Sequence, residues 1–351
     1  MGLRNDKSSI QLFITRRCQL RCRYCPVVKN GEDMPLAVAL KAVDFLLGSR
    51  NRDLTLEFYG GEPLLAFDVL RESAEHAVRR ARRLGKKTSF YIATNALLLD
   101  DRKLEWMSKR KFIVELSWDG APKTHNRERV AGRCGLDTYA ALRGIVEKVL
   151  RSGVICSVIP VATPGNVKEL AENFEHLLDL GLRSFDLSYA IGVVWDRRAQ
   201  DEYFAQMRRI AARHRRVLAT GEVRIGNLRP VVEPGVINPE FTVDTDGTIR
   251  LLSEWLMEVV RPGAPPPRPL GNVTDAPAYD SLYISRFHCA HALFTMYARN
   301  PRQRQVLLNN IAFGRRYGEF FTGLRRWISL AAPELRPDEP ARPREIRVYS
   351  P

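Results

Sequence analysis

No uncharged apolar run in these 351 residues approaches the roughly 18 needed to cross a bilayer. The opening MGLRNDKSSIQLFIT also lacks the apolar stretch and small-residue cleavage site of a secretory signal. Neither a bilayer-spanning helix nor a secretory leader is expected, and the expected location is the cytoplasm. Cysteine is scarce, at six, and in a long chain under reducing conditions so few argue for metal binding or catalysis over a disulfide framework. Acidic residues are in deficit, 40 against 55 Lys and Arg, which leaves a net charge of +15. That excess invites a nucleic-acid or anionic-surface partner. It is spread, however, over helix-like stretches such as Arg79, Arg80, Arg82, Arg83, Lys86 and Lys87, or Arg302, Arg304, Arg315, Arg316, Arg325 and Arg326. No basic run interleaves with aromatics and no helix-turn-helix or zinc-finger spacing is present, so nucleic acid is not an expected partner. Solvated helix faces are the leading reading, with a polyanionic or acidic-peptide partner as the alternative. What is present, 45% hydrophobic, 27% charged and 9% aromatic residues, is the composition of a globular chain with room for one large or two ordinary domains.

Apolar strand-like runs alternate with segments of helical period to about residue 220. The strand candidates are 10–15, 54–59, 88–93, 112–117, 154–160 and 184–189. Helices are predicted near 35–48, 64–84, 100–109, 138–151, 167–180 and 198–219. Strict alternation implies a parallel sheet, open or curled into a partial barrel. In such folds the chemistry gathers at the C-terminal ends of the strands. The unusual residues fall there: a cysteine loop, Gly60-Gly61-Glu62, Thr94-Asn95 and Ser117-Trp118-Asp119-Gly120.

Beyond 220 the character changes. FTVDTDGTIRLL (241–252) reads as two short strands and a turn, and RPGAPPPRPL (261–270) as a loop, because proline at that density suits neither helix nor central strand. Residues 277–330 are expected to be largely helical, and the tail from Pro333 loosely ordered.

Cys18, Cys22 and Cys25 form a C-x3-C-x2-C loop directly after the first strand. Zinc favours four protein ligands in structural sites, and no second pair of cysteines stands nearby. A [4Fe-4S] cluster on three thiolates keeps one iron open to a substrate or cofactor. On spacing alone, a zinc knuckle and unrelated thiols stay as alternatives.

With its position after strand one of a β/α array, this loop resembles the signature of the radical S-adenosylmethionine (radical SAM) enzymes, over roughly residues 8–220. The resemblance implies a partial (β/α)6 TIM-like barrel of the α/β class, followed by a smaller, mainly helical C-terminal domain with a short β-hairpin. It implies that Cys18, Cys22 and Cys25 hold one [4Fe-4S] cluster and that Tyr24 packs by the adenine of SAM. Gly60-Gly61-Glu62-Pro63 is similar to the family's GGEP element, which receives the amino group of SAM. Two glycines permit close backbone approach and Glu62 adds an acceptor for an ammonium. Ser117-Trp-Asp-Gly120 with His125, Asn126 and Arg129 is similar to the S-x-D-G…HD…R pattern of the peptide-modifying branch, in which the serine and the arginine contact SAM. Asn126 stands where that branch commonly has aspartate, and Asp119 serves equally well as a turn-former. Thr94-Asn95 resembles T-N-G with Ala96 in place of glycine, which makes Asn95 a candidate SAM contact. Val161 matches an apolar residue flanking the adenine and is equally read as core.

The C-terminal third resembles the start of a SPASM or twitch domain and then departs from it. Val243-Asp-Thr-Asp-Gly247 and Gly271-Asn272 match its elements, but Leu251 and Leu252 occupy the places of an expected Pro-Cys. No cysteine lies between Cys156 and Cys289, so the ligands for an auxiliary cluster are missing. Where sulfatase-maturating relatives have a proton-accepting aspartate, this chain has Ser253, and the adjacent Glu254 becomes the candidate general base. Cys289, between His288 and His291, is open to reading as a leftover ligand, a radical-quenching thiol or core.

The resulting expectation is a radical SAM core at 1–220, a degenerate SPASM-like substrate cap at 221–332 and a Pro-rich tail at 333–351. The enzyme would cleave SAM reductively to a 5′-deoxyadenosyl radical that abstracts hydrogen from a peptide or protein, as in ribosomal peptide maturation. An external one-electron reductant of flavodoxin or ferredoxin type is implied. A separate leader-binding protein is a candidate partner, since no fused leader-binding domain is expected before strand one. Two alternatives are kept: a small-molecule substrate such as a sugar or nucleotide, and a non-catalytic SAM- or cluster-binding scaffold or electron carrier.

Overall fold

The computed structural model describes residues 8–132, 135–229, 234–260, 268–282 and 284–331. Cys134, most of the proline-rich 261–270 loop and the tail from Pro333 lie outside them. The first half runs β1 (Ser9–Thr15), α1 (Leu36–Leu47), β2 (Asp53–Gly60), α2 (Phe67–Arg83), β3 (Lys87–Thr94), α3 (Asp101–Lys109), β4 (Phe112–Leu116), α4 (Pro122–Glu128) and α5 (Thr138–Arg151). The chain continues with β5 (Ile155–Val158), β6 (Val161–Ala162), α6 (Leu170–Asp179), β7 (Ser184–Phe185), β8 (Ser188–Tyr189), α7 (Arg197–Thr220) and β9 (Arg224–Ile225). Then come β10 (Phe241–Val243), β11 (Thr248–Leu251), α8 (Leu252–Leu256), β12 (Gly271–Asn272), α9 (Arg286–Tyr297) and α10 (Pro301–Ser329).

One sheet carries most of these strands, in the order β12-β11-β10-β1-β2-β3-β4-β5-β7-β9, and β6 pairs with β8 separately. The pairs from β1 through β9 are parallel, as β/α alternation requires. Even-numbered residues such as Leu12, Leu56, Phe58, Ile92 and Val114 are fully buried apolar side chains. They make the layer on which the amphipathic helices pack. The helix starts follow from local chemistry: Asp100, Asp137 and Asp196 each accept a hydrogen bond from a first-turn N–H, at 2.8, 2.8 and 2.7 Å. Asn300 caps α10 ahead of Pro301 in the same way.

Several expectations need adjusting. The strand expected over 154–160 breaks into β5 and β6 around Pro160, which has no N–H for a ladder. The run 184–189 likewise splits into β7 and β8, because Asp186 turns out of line, its N–H bonded to Val158 O and its own carbonyl to Ser188 N. The helix expected from 64 opens as a 3-10 turn over Pro63–Ala66. Within 277–330 the long helices begin only at Arg286, behind a Ser285–His288 capping box.

The predicted hairpin forms. β10 and β11 pair antiparallel, and β10 also joins the edge of the barrel sheet, parallel to β1, with Ile10 opposite Phe241 and Leu12 opposite Val243. A buried ion pair fixes that junction: Arg16, just past β1, donates to both oxygens of Asp244 at 3.0 and 2.7 Å and also meets Glu258 at 3.3 Å. Leu251 and Leu252, in the places of the missing Pro-Cys, are buried. Arg79, Arg82, Arg83, Lys87, Arg302, Arg304, Arg315 and Arg326 are exposed, as the solvated-face reading expects. Among the described residues no helix is long and apolar enough to cross a membrane.

Candidate active site

A cleft opens at the C-terminal ends of the barrel strands and runs down into the barrel. Cys18, Cys22, Cys25, Tyr24, Gly60, Gly61, Asn95, Ser117, Arg129 and Val161 all line it. They come from six separate loops or strand ends. The three thiols are free. Among the described residues no three His, Cys, Asp or Glu side chains converge closely enough to hold a single metal ion. Thiolates on one zinc ion would stand about 3.8 Å apart, from a tetrahedron of 2.3 Å bonds. A [4Fe-4S] cluster takes each thiolate on its own iron and accommodates a wider triangle. Burial pushes the Cys18 thiol up and the Cys22 thiol up to about 12, while Lys29 acts downward on both and Arg129 on Cys22. Neutral thiols that metal binding would deprotonate, beside two cations, make a donor set suited to a cluster.

Gly60 and Gly61 earn their identity by close packing. Gly60 has φ +133°, and a Cβ on it would overlap the carbonyl oxygen of Thr15, as one on Gly61 would overlap that of Arg17. The N–H groups of Gly61 and Glu62 bond to the chain entering the cysteine loop: Gly61 N to Thr15 O at 2.8 Å and Glu62 N to Arg17 O at 2.8 Å. The two glycines therefore seat the end of β2 against the cysteine loop and leave their other side to the cleft.

Glu62 and Pro63 do not line that cleft. Glu62 is fully buried, accepting from Leu64 N at 3.0 Å, Thr94 Oγ1 at 2.7 Å and Asn95 N at 2.8 Å. Burial raises its carboxyl to about 7 against the pull of those three donors. In place of the expected acceptor for an ammonium, the structure gives a brace between the ends of β2 and β3. Asn95, held by that brace, accepts from Gln19 Nε2 at 3.1 Å and directs its amide nitrogen toward Cys18 Sγ at 3.9 Å. Ala96 has φ +63°, a conformation that explains why glycine would suit the position.

Asp119 organises the far wall. One oxygen accepts from Arg129 at 3.0 Å and from Val161 N at 3.0 Å, and the other from Tyr24 OH at 2.7 Å. Arg129 stacks over the Tyr24 ring, 5.4 Å from its centroid. Burial disfavours the Arg129 cation, but Asp119, Tyr24 and Cys22 more than offset it and hold the guanidinium above its ordinary pKa. Its Nε is buried without a hydrogen-bond partner, a donor left over for a ligand. The Asp119 N–H donates to His125 Nδ1 at 3.3 Å, and burial drives that imidazole down to about 4, so it stays neutral. The alternatives for Asp119 thus merge: it shapes the turn and ties Arg129 to the cysteine loop.

Glu254 is not placed as a base for this cleft. Leu252, Trp255 and Leu256 line it, whereas Glu254, buried on the same helix, does not. Its burial removes the reading as a solvated charge and leaves a buried residue of a one-turn helix. Cys289 is fully buried in α9, and the neighbouring His288 caps that helix, which leaves the core reading. Sequence reasoning missed Gln11, Phe13, Tyr59, Glu115 and Trp255, which line the deeper part of the cleft. A period-two pattern of odd-numbered residues facing the barrel interior was the available signal.

Residues 12–182 match the family model described as the radical SAM superfamily. A Methanocaldococcus jannaschii protein, itself uncharacterized, is 29% identical over 180 residues, 50% of this chain and 61% of that protein. A cysteine-type anaerobic sulfatase-maturating enzyme of Clostridium perfringens is 24% identical over 194 residues, 53% of this chain and 52% of the relative. The chain thus spans between about half and three fifths of these relatives' length. Among solved structures, native anSMEcpe with bound AdoMet superposes with a TM-score of 0.73 at 17% identity, covering 93% of this chain and 99% of that one. Streptococcus suis SuiB bound to precursor peptide SuiA gives 0.56 at 16% identity, covering 87% and 70%. The likeness to these two structures is one of fold. Residues 12–182, which carry the three-cysteine loop at the mouth of a partial β/α barrel, are what this chain shares with the radical SAM superfamily.

Proposed function

We propose that this protein is a cytoplasmic radical SAM enzyme that modifies a peptide or protein. The observation carrying the proposal is that Cys18, Cys22 and Cys25 share one cleft with Tyr24, Gly60, Gly61, Asn95, Ser117, Arg129 and Val161. The three cysteines would hold one [4Fe-4S] cluster. The chemistry supplied when cluster and SAM are bound, with an electron from a flavodoxin- or ferredoxin-type donor, is cleavage of SAM to a 5′-deoxyadenosyl radical that takes hydrogen from a C–H bond.

The chain's own residues position and enclose. The unpaired Arg129 Nε and its guanidinium suit a carboxylate, Tyr24 and Val161 offer apolar faces to a purine, and Ser117 offers a hydroxyl. Residues 1–220 act as the radical SAM core and 221–332 as a cap, of which Leu252, Trp255 and Leu256 close one side of the cleft against water. The peptide reading is supported by the names of its likenesses, a sulfatase-maturating enzyme and a protein bound to a precursor peptide. Anaerobic reconstitution should give about four irons per chain, and dithionite with SAM should yield 5′-deoxyadenosine. Protein that retains iron yet forms none would overturn the catalytic reading and favour a scaffold.

A further inference from the structure

Below the cysteine loop, a polar row crosses four parallel strands inside the barrel. Gln11 on β1 stands opposite Glu57 on β2, and Glu57 opposite Tyr91 on β3. Gln11 Nε2 donates to Glu57 Oε2 at 3.2 Å, and Tyr91 OH donates to Glu115 Oε2 on β4. Two acceptors in this row have no hydrogen-bond partner: Gln11 Oε1 and Glu115 Oε1. Both side chains line the cleft, and the residues are only 3% and 2% exposed. Buried acceptors without donors are costly unless a ligand supplies the donor.

The surroundings narrow the ligand. Asp186 and Glu57 are buried in the same interior, and each acts electrostatically with Glu115 or with a carboxylate beside it. Burial and mutual repulsion keep protons on the Glu57 and Glu115 carboxyls while this interior is empty, even with Arg129 acting on Glu115, and a cation entering there would displace the proton from Glu115. Three aromatic rings, Phe13, Tyr59 and Trp255, line the cleft alongside the two acceptors. Aromatic faces beside a carboxylate suit an alkylammonium or guanidinium, through cation–π attraction and charge-assisted hydrogen bonds.

Resting on the peptide reading above, we infer that the deep part of the cleft binds the cationic side chain of a lysine or arginine in the substrate, with Glu115 and Gln11 accepting its hydrogen bonds and Phe13, Tyr59 and Trp255 enclosing its stem. Glu115 is a specificity residue in this assignment. The indole N–H of Trp255, also without a partner, then faces the peptide backbone side of the same residue.

Calorimetry on the SAM-loaded, reconstituted full chain decides the question, with N-acetyl-lysine-N′-methylamide, its arginine counterpart and the norleucine isostere as probes. Wild type should bind the lysine or arginine probe at least about tenfold more tightly than norleucine, since a charge-assisted contact is worth about 1.5–3 kcal/mol. Glu115→Gln, which keeps the shape and the bond from Tyr91, should erase that preference while leaving norleucine binding unchanged. Equal affinity of wild type for all three probes overturns the inference, and so does a preference that survives in Glu115→Gln. Because the wild-type comparison stands alone, a misfolded variant does not rescue the idea. Deoxyadenosine formation, measured on the same sample, reports separately on the radical SAM reading: its absence with an intact cation preference would sink that reading and not this one.

Discussion

The two segments flanking β1 are built on different terms. On one side, the cysteine loop and the ends of β2 to β4 spend their polar atoms on one another: Glu62 braces β2 to β3, and Asp119 ties Tyr24, Arg129 and Val161 together. On the other side, the β10–β11 hairpin and α8 close the cleft with Leu252, Trp255 and Leu256 and are held by Arg16 with Asp244. The first side is specified by chemistry, and its residues resist exchange. The second is specified by volume, with Leu251 and Leu252 buried where the hairpin meets the helix that follows it.

The largest test of that contrast is Cys22→Ala. It should abolish SAM cleavage, by at least about a hundredfold, and lower bound iron while the thermal transition stays near wild type, because the loop lies at the barrel mouth. Unchanged deoxyadenosine yield would falsify the cluster assignment. Leu252→Ala should do the reverse, costing about 2–5 kcal/mol of stability by denaturant unfolding with full iron content retained. Lost iron in that variant would erase the distinction between the two sides.

Arg129→Ala lies between these cases. The sequence alone suggests a loss that falls more on SAM affinity than on the fold. The structure adds a buried Asp119 stripped of its cation, which should destabilise the protein by about 3–5 kcal/mol. The double variant Arg129→Ala with Asp119→Asn should recover part of that stability and none of the SAM affinity.

Two smaller effects sharpen the picture of the interior. Burial, then Asp186, raise the Glu115 carboxyl to about 8 against Tyr91 and Arg129, above the ordinary 4.5. The folded state therefore binds the extra proton, and this group's contribution to stability falls as pH rises from about 4.5 to 8. His125, lowered to about 4, works in the opposite sense between about 4 and 6.5. The difference in melting temperature between wild type and Glu115→Gln isolates the first: it should change steadily in favour of the variant from pH 5 to 8, and a flat difference would refute the burial argument. Ala96→Gly should be nearly neutral, within about 0.5 kcal/mol. Relief at φ +63° offsets the lost methyl and the added chain entropy.

What was legible in the sequence follows the same division. Strands such as IQLFIT and FIVELS announce themselves as apolar runs between helical periods, and C-x3-C-x2-C carries its chemistry in its spacing. The row of Gln11, Glu57, Tyr91 and Glu115 was there too, but single polar residues inside strands carry no motif. Their meaning depends on four strands being brought into register. Glu254 depends on the same kind of information. Proximity to the missing cysteine placed it near the chemistry, and only the phase of a one-turn helix shows which of its neighbours faces the cleft.

The pairing of β1 with β10 has a consequence for how the chain comes into being. The strand bearing the cysteine loop is interior in the finished sheet, with β2 on one side and Phe241–Val243 on the other. During synthesis its second edge stays bare until more than two hundred further residues have been made, a separation seen in the register of Ile10 with Phe241. An unpaired strand edge is an invitation to pair wrongly, and the closure that protects it is slow because it joins distant parts of the chain. The hairpin would then serve the ribosome's product before it serves catalysis, as the piece that seals the strand under the metal loop.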